Sequence, residues 1–150
     1  MSVRTRLLGI DFGTVRIGLA VTDSERMIAS PLATYERLDE PRDAVYFRQL
    51  VEREEIAQIV VGLPIHNDGR VGDKAQEALR FGQWLTSITL VPVVYHDERF
   101  STVLAEGHLR GAKMTRDKRK ERRDRVAAQI ILQSYLEAGC PASYEGSKSL

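Results

Sequence analysis

The order of strand-like and helix-like segments predicts an α/β fold. It consists of a mixed five-stranded sheet, an antiparallel three-strand meander extended by two parallel strands, with helices on both faces. Three observations carry this. Three β-type runs come before any helical periodicity, and from there strand and helix alternate. A chain of 150 residues, 43% hydrophobic and 29% charged, has enough apolar side chain for one core and too little length for two catalytic lobes.

Residues 6–12 (RLLGIDF) form the first β-type run and end at Gly13-Thr14. Residues 16–23 (RIGLAVTD) alternate Ile17, Leu19 and Val21 on one face with Gly18 and Ala20 on the other. Three residues separate the two runs, which predicts a hairpin. A third strand is expected over residues 32–38, after a turn at Ser30-Pro31. Over residues 41–54, Ala44, Val45, Phe47, Leu50 and Val51 recur at helical spacing, with Pro41 at a first helical position. Residues 56–62 (IAQIVVG) read as a short buried strand, and residues 71–85 as a helix with Ala75, Ala78, Leu79, Phe81, Gly82 and Leu85 inward. Residues 90–95 (LVPVVY) are a strand that Pro92 places at an edge or near its start. A short helix over residues 101–109, capped by Ser101, precedes a last helix over residues 119–138 that ends at Gly139. Crossovers of the usual hand then add two parallel strands to the meander. Residues 1–139 read as one domain, and residues 140–150 as a disordered tail.

Net charge is +1, which by itself points to no partner, but the charge is unevenly placed. Nine basic residues fall between Arg110 and Arg125, opposed only by Asp117, Glu121 and Asp124. That segment carries +6 and the remainder of the chain −5. A compact basic segment on an acidic protein is an electrostatic footprint for a polyanion, or else a solvated loop and first helical turn. Cys140 is the single cysteine, which excludes a disulfide framework and a thiolate metal site. His66, His96 and His108 lack zinc-ligand spacing and read as structural or solvated. No run reaches the roughly 18–20 apolar residues of a membrane span, and Met1-Ser2-Val3-Arg4 has no leader pattern. A cytoplasmic protein without membrane contact is the expectation.

Three carboxylates draw the chemistry together. Asp11 ends a strand that both the meander and the crossovers flank, where an ionised acid is costly unless paired or metal-bound; alternatively it caps the Gly13-Thr14 turn. Glu98 lies just past a strand end, where open α/β sheets present ligand sites; otherwise it is a surface acid beside Arg99. Asp124 heads a helical stripe continued by Ala127, Ala128, Ile131 and Tyr135, or it is a first-turn acid favoured by the helix dipole. Three hard oxygen ligands without a histidine or cysteine cluster suit Mg²⁺ or Mn²⁺. Two such ions about 4 Å apart can clamp a phosphodiester. Asp97, Asp68 and Asp73 are candidates for a fourth ligand. Thr14 and Arg16, beside Asp11, are candidate phosphate contacts, and so are Arg99, Arg116, Lys118, Arg119, Lys120 and Arg123. The Gly62-Leu63-Pro64 and Asn67-Asp68-Gly69 segment reads as a turn near the site, and Trp84 and Tyr95 as core.

Three blocks of residues carry a resemblance. The first is residues 8–21 (LGIDFGTVRIGLAV); the second is Val60-Val61-Gly62-Leu63-Pro64 with Asn67-Asp68-Gly69. The third is Asp97-Glu98-Arg99 with Ser101-Thr102, then Asp124 with Ala127-Ala128 and residues 132–136 (LQSYL). In this order, over residues 5–138, the chain resembles the YqgF family, also called RuvX or Holliday-junction-resolvase-like, of the RNase H-like superfamily. The resemblance implies an RNase H-like sheet and metal-dependent phosphodiester hydrolysis. It places the acidic set on Asp11, Glu98 and Asp124. It also implies 5′-end maturation of 16S ribosomal RNA, with precursor ribosomal particles as partners. The alternative is resolution of DNA Holliday junctions, which needs a dimer; monomer and homodimer both fit the sequence. Two departures stand out: Phe100 where the family favours Leu, and Arg123 and Arg125 flanking Asp124 where apolar or small residues are usual. A non-catalytic nucleic-acid binder is a further alternative, but it would gain affinity by losing the acids. The sugar-kinase and actin-like ATPases share Asp-x-Gly-Thr and need a second lobe for which this chain has no room.

Overall fold

A computed structural model describes residues 3–99 and 115–144. The sheet has the order β3-β2-β1-β4-β5. Its strands are β1 (Arg6–Asp11), β2 (Arg16–Thr22), β3 (Ala29–Glu36), β4 (Ile56–Leu63) and β5 (Val93–Asp97). β1 pairs antiparallel with β2 and parallel with β4; β2 pairs antiparallel with β3, and β4 parallel with β5. The meander with two added parallel strands is thus present, and β1 is central as expected. Helices α1 (Glu40–Arg53), α2 (Asp73–Thr89) and α3 (Arg116–Glu137) complete the described fold.

Period-two alternation sorts each strand between two cores. Leu8 and Ile10 of β1, Ile17, Leu19 and Val21 of β2, and Ile59, Val61 and Leu63 of β4 meet Phe47 and Leu50 of α1 and Phe81 and Leu85 of α2. On the opposite face, Leu7, Ala20 and Val60 meet Ala128, Ile131, Leu132 and Tyr135 of α3. Trp84 and Tyr95 pack against the larger core, as their sequence context predicts.

Several boundaries differ from expectation for local reasons. β3 starts at Ala29, before the expected turn. The chain reverses instead at residues 23–28, where Asp23 Oδ1 accepts from the amides of Met27 and Ile28. Pro31 then sits within an edge strand, at a register shift between Leu19 and Ala20 of β2, where its missing N–H is tolerated. α2 continues to Thr89, because Leu90 adopts a left-handed conformation (φ 61°) and closes it; β5 therefore starts after Pro92. α3 starts earlier than expected, at Arg116, because the Thr115 side chain caps the amide of Lys118. The expected disordered tail has structure in its first residues: Tyr144 N donates to Tyr95 O at 2.7 Å, and Tyr95 N to Ser143 Oγ at 2.9 Å. The helix expected over residues 101–109 lies outside the described residues.

α3 lies unusually close to the sheet because glycines line the strands beneath it. A Cβ on Gly9 would stand 2.7 Å from Leu132 Cβ, and one on Gly18 only 1.9 Å from the backbone oxygen of Asp124. Thr34 Oγ1, donating to Glu121 O, and Gln129, donating to Ala29 O at 3.1 Å, fasten the same helix across β3. Substituting Gly18→Ala forces backbone against backbone. It should cost about 2–3 kcal/mol in urea unfolding, with α3 displaced from β2.

Candidate active site

β1, β4 and β5 are mutually parallel, so their C-terminal ends lie together at one edge of the sheet. Asp11 is the last residue of β1 and continues the α3-facing set of Leu7 and Gly9. Val94 and His96 of β5 face the same way: Val94 packs on the α3 core, and His96 stacks edge-on against Tyr135 and pairs with Ser134 Oγ at 3.1 Å. Glu98, just beyond β5, extends that parity, and its amide donates to Leu63 O at 3.1 Å. Between the two acids runs β4, whose residue there is Gly62. A Cβ on Gly62 would stand 2.4 Å from Glu98 Oε2 and 2.6 Å from Ile131 Cδ1. The bare backbone of Gly62 is therefore the floor on which the Glu98 carboxyl group rests.

Burial dominates the electrostatics of this pair. Asp11 is pushed up to about 7, first by desolvation and then by the nearby charges of Glu98 and Asp124. Glu98 is also pushed up to about 7, by desolvation and by the charge of Asp97. Glu98 Oε2 is buried and, among the described residues, has no hydrogen-bond partner. Such an oxygen needs either its own proton or a cation.

Asp124 lies at the middle of α3 rather than in its first turn, which excludes the helix-dipole reading of this residue. Its backbone oxygen rests on Gly18, which pairs with Asp11 in the β1–β2 ladder. The flanking arginines leave this seating intact. Its carboxylate is engaged, however: Arg16 Nε donates to Asp124 Oδ2 at 3.0 Å, and the two side chains are 31% and 21% exposed. Asp124 is close enough to raise the Asp11 pKa, yet the three acids are not drawn into one cage. Among the described residues, no three His, Cys, Asp or Glu side chains are gathered tightly enough to hold an ion.

Over residues 5–138 the chain matches the family model described as RuvX: Holliday junction resolvase. It belongs to this family. A Rhodopirellula baltica relative named "Putative pre-16S rRNA nuclease" is 48% identical over 133 residues, covering 89% of this chain and 77% of the relative. One of the same name from Protochlamydia amoebophila is 44% identical, covering 91% and 95%. Among solved structures, Thermus thermophilus RuvC superposes with a TM-score of 0.56 at 15% identity, covering 93% of this chain and 99% of that one. The fowlpox virus Holliday junction resolvase gives 0.52 at 10% identity, covering 89% and 99%. At such identities these two structures establish the shared fold alone, the RNase H-like sheet.

In this RuvX-family chain the remaining expected site residues fall into three groups. Thr14 lines a cleft of about 380 Å³ together with Asp11, Gly62 and Glu98. Arg99 is turned back on Asp97 (Nη2–Oδ2 2.6 Å), which engages that acid as Arg16 engages Asp124. Arg116, Arg119, Lys120 and Arg123 line a groove on the exposed flank of α3, and Lys118 is exposed on the same helix. Asp68 is paired with Arg70 in the turn after β4, and Asp73 opens α2 and lines a neighbouring cleft together with Lys74 and Glu98. Phe100, Ser101, Thr102 and His108 lie outside the described residues. Lys74 and Glu77 of α2 line the acidic cleft and were missed in the sequence. Periodicity marks the inward face of that helix and says nothing of its end over β1.

The raised acids give a pH dependence of definite sign. Between about pH 4 and 7 the folded, metal-free chain holds protons that the unfolded chain has released, so this stabilisation is full at acid pH and lost as pH rises through about 7. The metal-free thermal midpoint should fall across that window. Asp11→Asn should flatten the slope and gain about 1–2 kcal/mol at pH 8, read by thermal denaturation in EDTA.

Proposed function

We propose that this chain is a divalent-metal-dependent nuclease acting on structured RNA, with the 5′ end of the 16S rRNA precursor as its substrate. Membership of the RuvX family makes nuclease the enzyme class, and the names of the relatives favour precursor rRNA. The observation that carries the metal reading is the buried Glu98 Oε2, unpartnered among the described residues, beside a second desolvated acid. Asp11 and Glu98 hold the ion, Mg²⁺ or Mn²⁺, with room in the reading for a second one at Asp124. When bound, such ions polarise the phosphoryl group and lower the pKa of an attacking water. Asp124 is the third acid, restrained by Arg16 until the site is engaged. Thr14 and Lys74 stand at the cleft mouth and orient the phosphodiester. The groove of Arg116, Arg119, Lys120 and Arg123 tracks the backbone beyond it, with Lys118 and Arg99 as outer contacts.

The family description favours one competing substrate, a four-way DNA junction. Parallel cleavage assays on a junction and on precursor rRNA separate the two, the RNA reading requiring faster cleavage of the precursor.

Two outcomes test the site. Asp11→Asn should lower cleavage at least about a thousandfold while leaving RNA affinity unchanged or tighter, since an acid near phosphate is removed. Replacing Arg116, Lys120 and Arg123 together with Ala should weaken binding to single-stranded RNA. It should also make the slope of log affinity against log salt shallower by about 2, read by fluorescence anisotropy.

A further inference from the structure

A second cleft, of about 320 Å³, adjoins the acidic one and shares Phe12, Thr14 and Glu77 with it. Its chemistry is different from that of the α3 groove, where all four lining residues are cationic. Here Arg37 and Arg80 are balanced by Glu40 and Glu77 around an aromatic floor of Phe12 and Trp84 backed by the buried Phe81, with Trp84 Nε1 donating to Glu40 Oε1 at 3.1 Å. Phe12 and Phe81 lie 4.8 Å apart between ring centroids, and Phe81 and Trp84 5.6 Å apart, both pairs tilted by less than 40°. The Arg37 guanidinium carbon lies 5.5 Å from the centroids of both phenylalanines. Its Nε is tethered at 3.4 Å to Asp43, a buried acid that also receives Tyr35 Oη and the amide of Leu38. The guanidinium is thereby held beside the aromatic cluster, with the Arg37 side chain 28% exposed.

A phosphate gains little in a cleft whose two cations are matched by two carboxylates. A planar heterocycle gains more, stacking on guanidinium and aromatic faces while its ring edge meets donors from the arginines and acceptors from the glutamates. We propose that this cleft is a nucleobase subsite. It takes the base of an unpaired nucleotide next to the phosphodiester held at Asp11 and Glu98, so the enzyme acts where a strand is locally single. The proposal rests on the nuclease reading for its position, but its test does not depend on cleavage.

Trp84 is the single tryptophan of the chain and lines the cleft, so its fluorescence reports occupancy. The metal-free protein in EDTA is titrated with a short single-stranded oligonucleotide, with the same strand carrying one abasic residue at each position in turn, and with the blunt duplex. The intact single strand should quench Trp84. An abasic residue at one position, and not at its neighbours, should abolish the quench and lower affinity about tenfold. The duplex should bind through α3 without quenching. Arg37→Ala, with folding verified by circular dichroism, should lose the quench as the abasic strand does. The abasic series on the unaltered protein decides the matter even if that variant fails to fold. Equal quenching by duplex and single strand, or quenching indifferent to every abasic position, overturns the subsite. Quenching retained in a protein that cleaves no polymer with Mg²⁺ or Mn²⁺ overturns the nuclease reading alone; cleavage retained without base-dependent quenching overturns the subsite alone.

Discussion

The close seating of α3 on the sheet governs where charge collects in this molecule. Gly9, Gly18 and Gly62 sit on three neighbouring strands and all face that helix, and at each a side-chain carbon would collide with helix or acid. Because those positions are bare, α3 comes down far enough for Asp124 to rest on the partner residue of Asp11, and Glu98 folds over β4 into the same space. Three acids from distant parts of the chain are brought near one another by packing, not by any attraction among themselves. The apolar contacts of Ala128, Ile131, Leu132 and Tyr135 offset the repulsion.

Two acids of the same fold, Asp43 and Glu98, are desolvated in different ways. Asp43 is deeply buried and fully served, by Tyr35 Oη, the Leu38 amide and Arg37, and it fixes the junction of β3 with α1. Glu98 is half-buried, and its buried Oε2 has no partner among the described residues, where the ordinary expectation for a buried acid oxygen is a partner. A structural role accounts for Asp43. The described residues give Glu98 no such structural account, and a desolvated acid of this kind is typical of functional sites. The Arg16–Asp124 pair belongs between these cases, since it neutralises one acid while leaving both groups within reach of solvent.

Much of this was legible in the sequence. The alternation in residues 16–22 gave both faces of β2, and the spacing from Asp124 to Tyr135 gave the buried stripe of α3. The sequence also singled out Asp11 and Glu98 as strand-end acids on physical grounds, and the structure places both in one cleft. What escaped notice was long-range or geometric. Nothing local marks Arg16 as the partner of a residue 108 positions away, and no periodicity distinguishes a glycine that admits a helix from one that merely turns the chain. Pro31 misled because a proline after a serine is a turn signal unless the strand lies at an edge, and edge position is a property of the sheet. Lys74, Glu77 and the aromatic cleft were hidden because Trp84 and Phe81 do pack the core, as their spacing suggests, while also lining a surface cleft.

The proposed metal reading is that the Asp11–Glu98 pair, whose carboxyl groups burial pushes up to about 7, exchanges protons for a divalent ion. Calorimetric titration of Mn²⁺ in buffers of different ionisation enthalpy measures that exchange directly. The account predicts proton release on binding at pH 6.5 that fades by pH 8.5, and loss of binding in Asp11→Asn. Binding with no proton release at either pH, or binding unchanged in that variant, would contradict it.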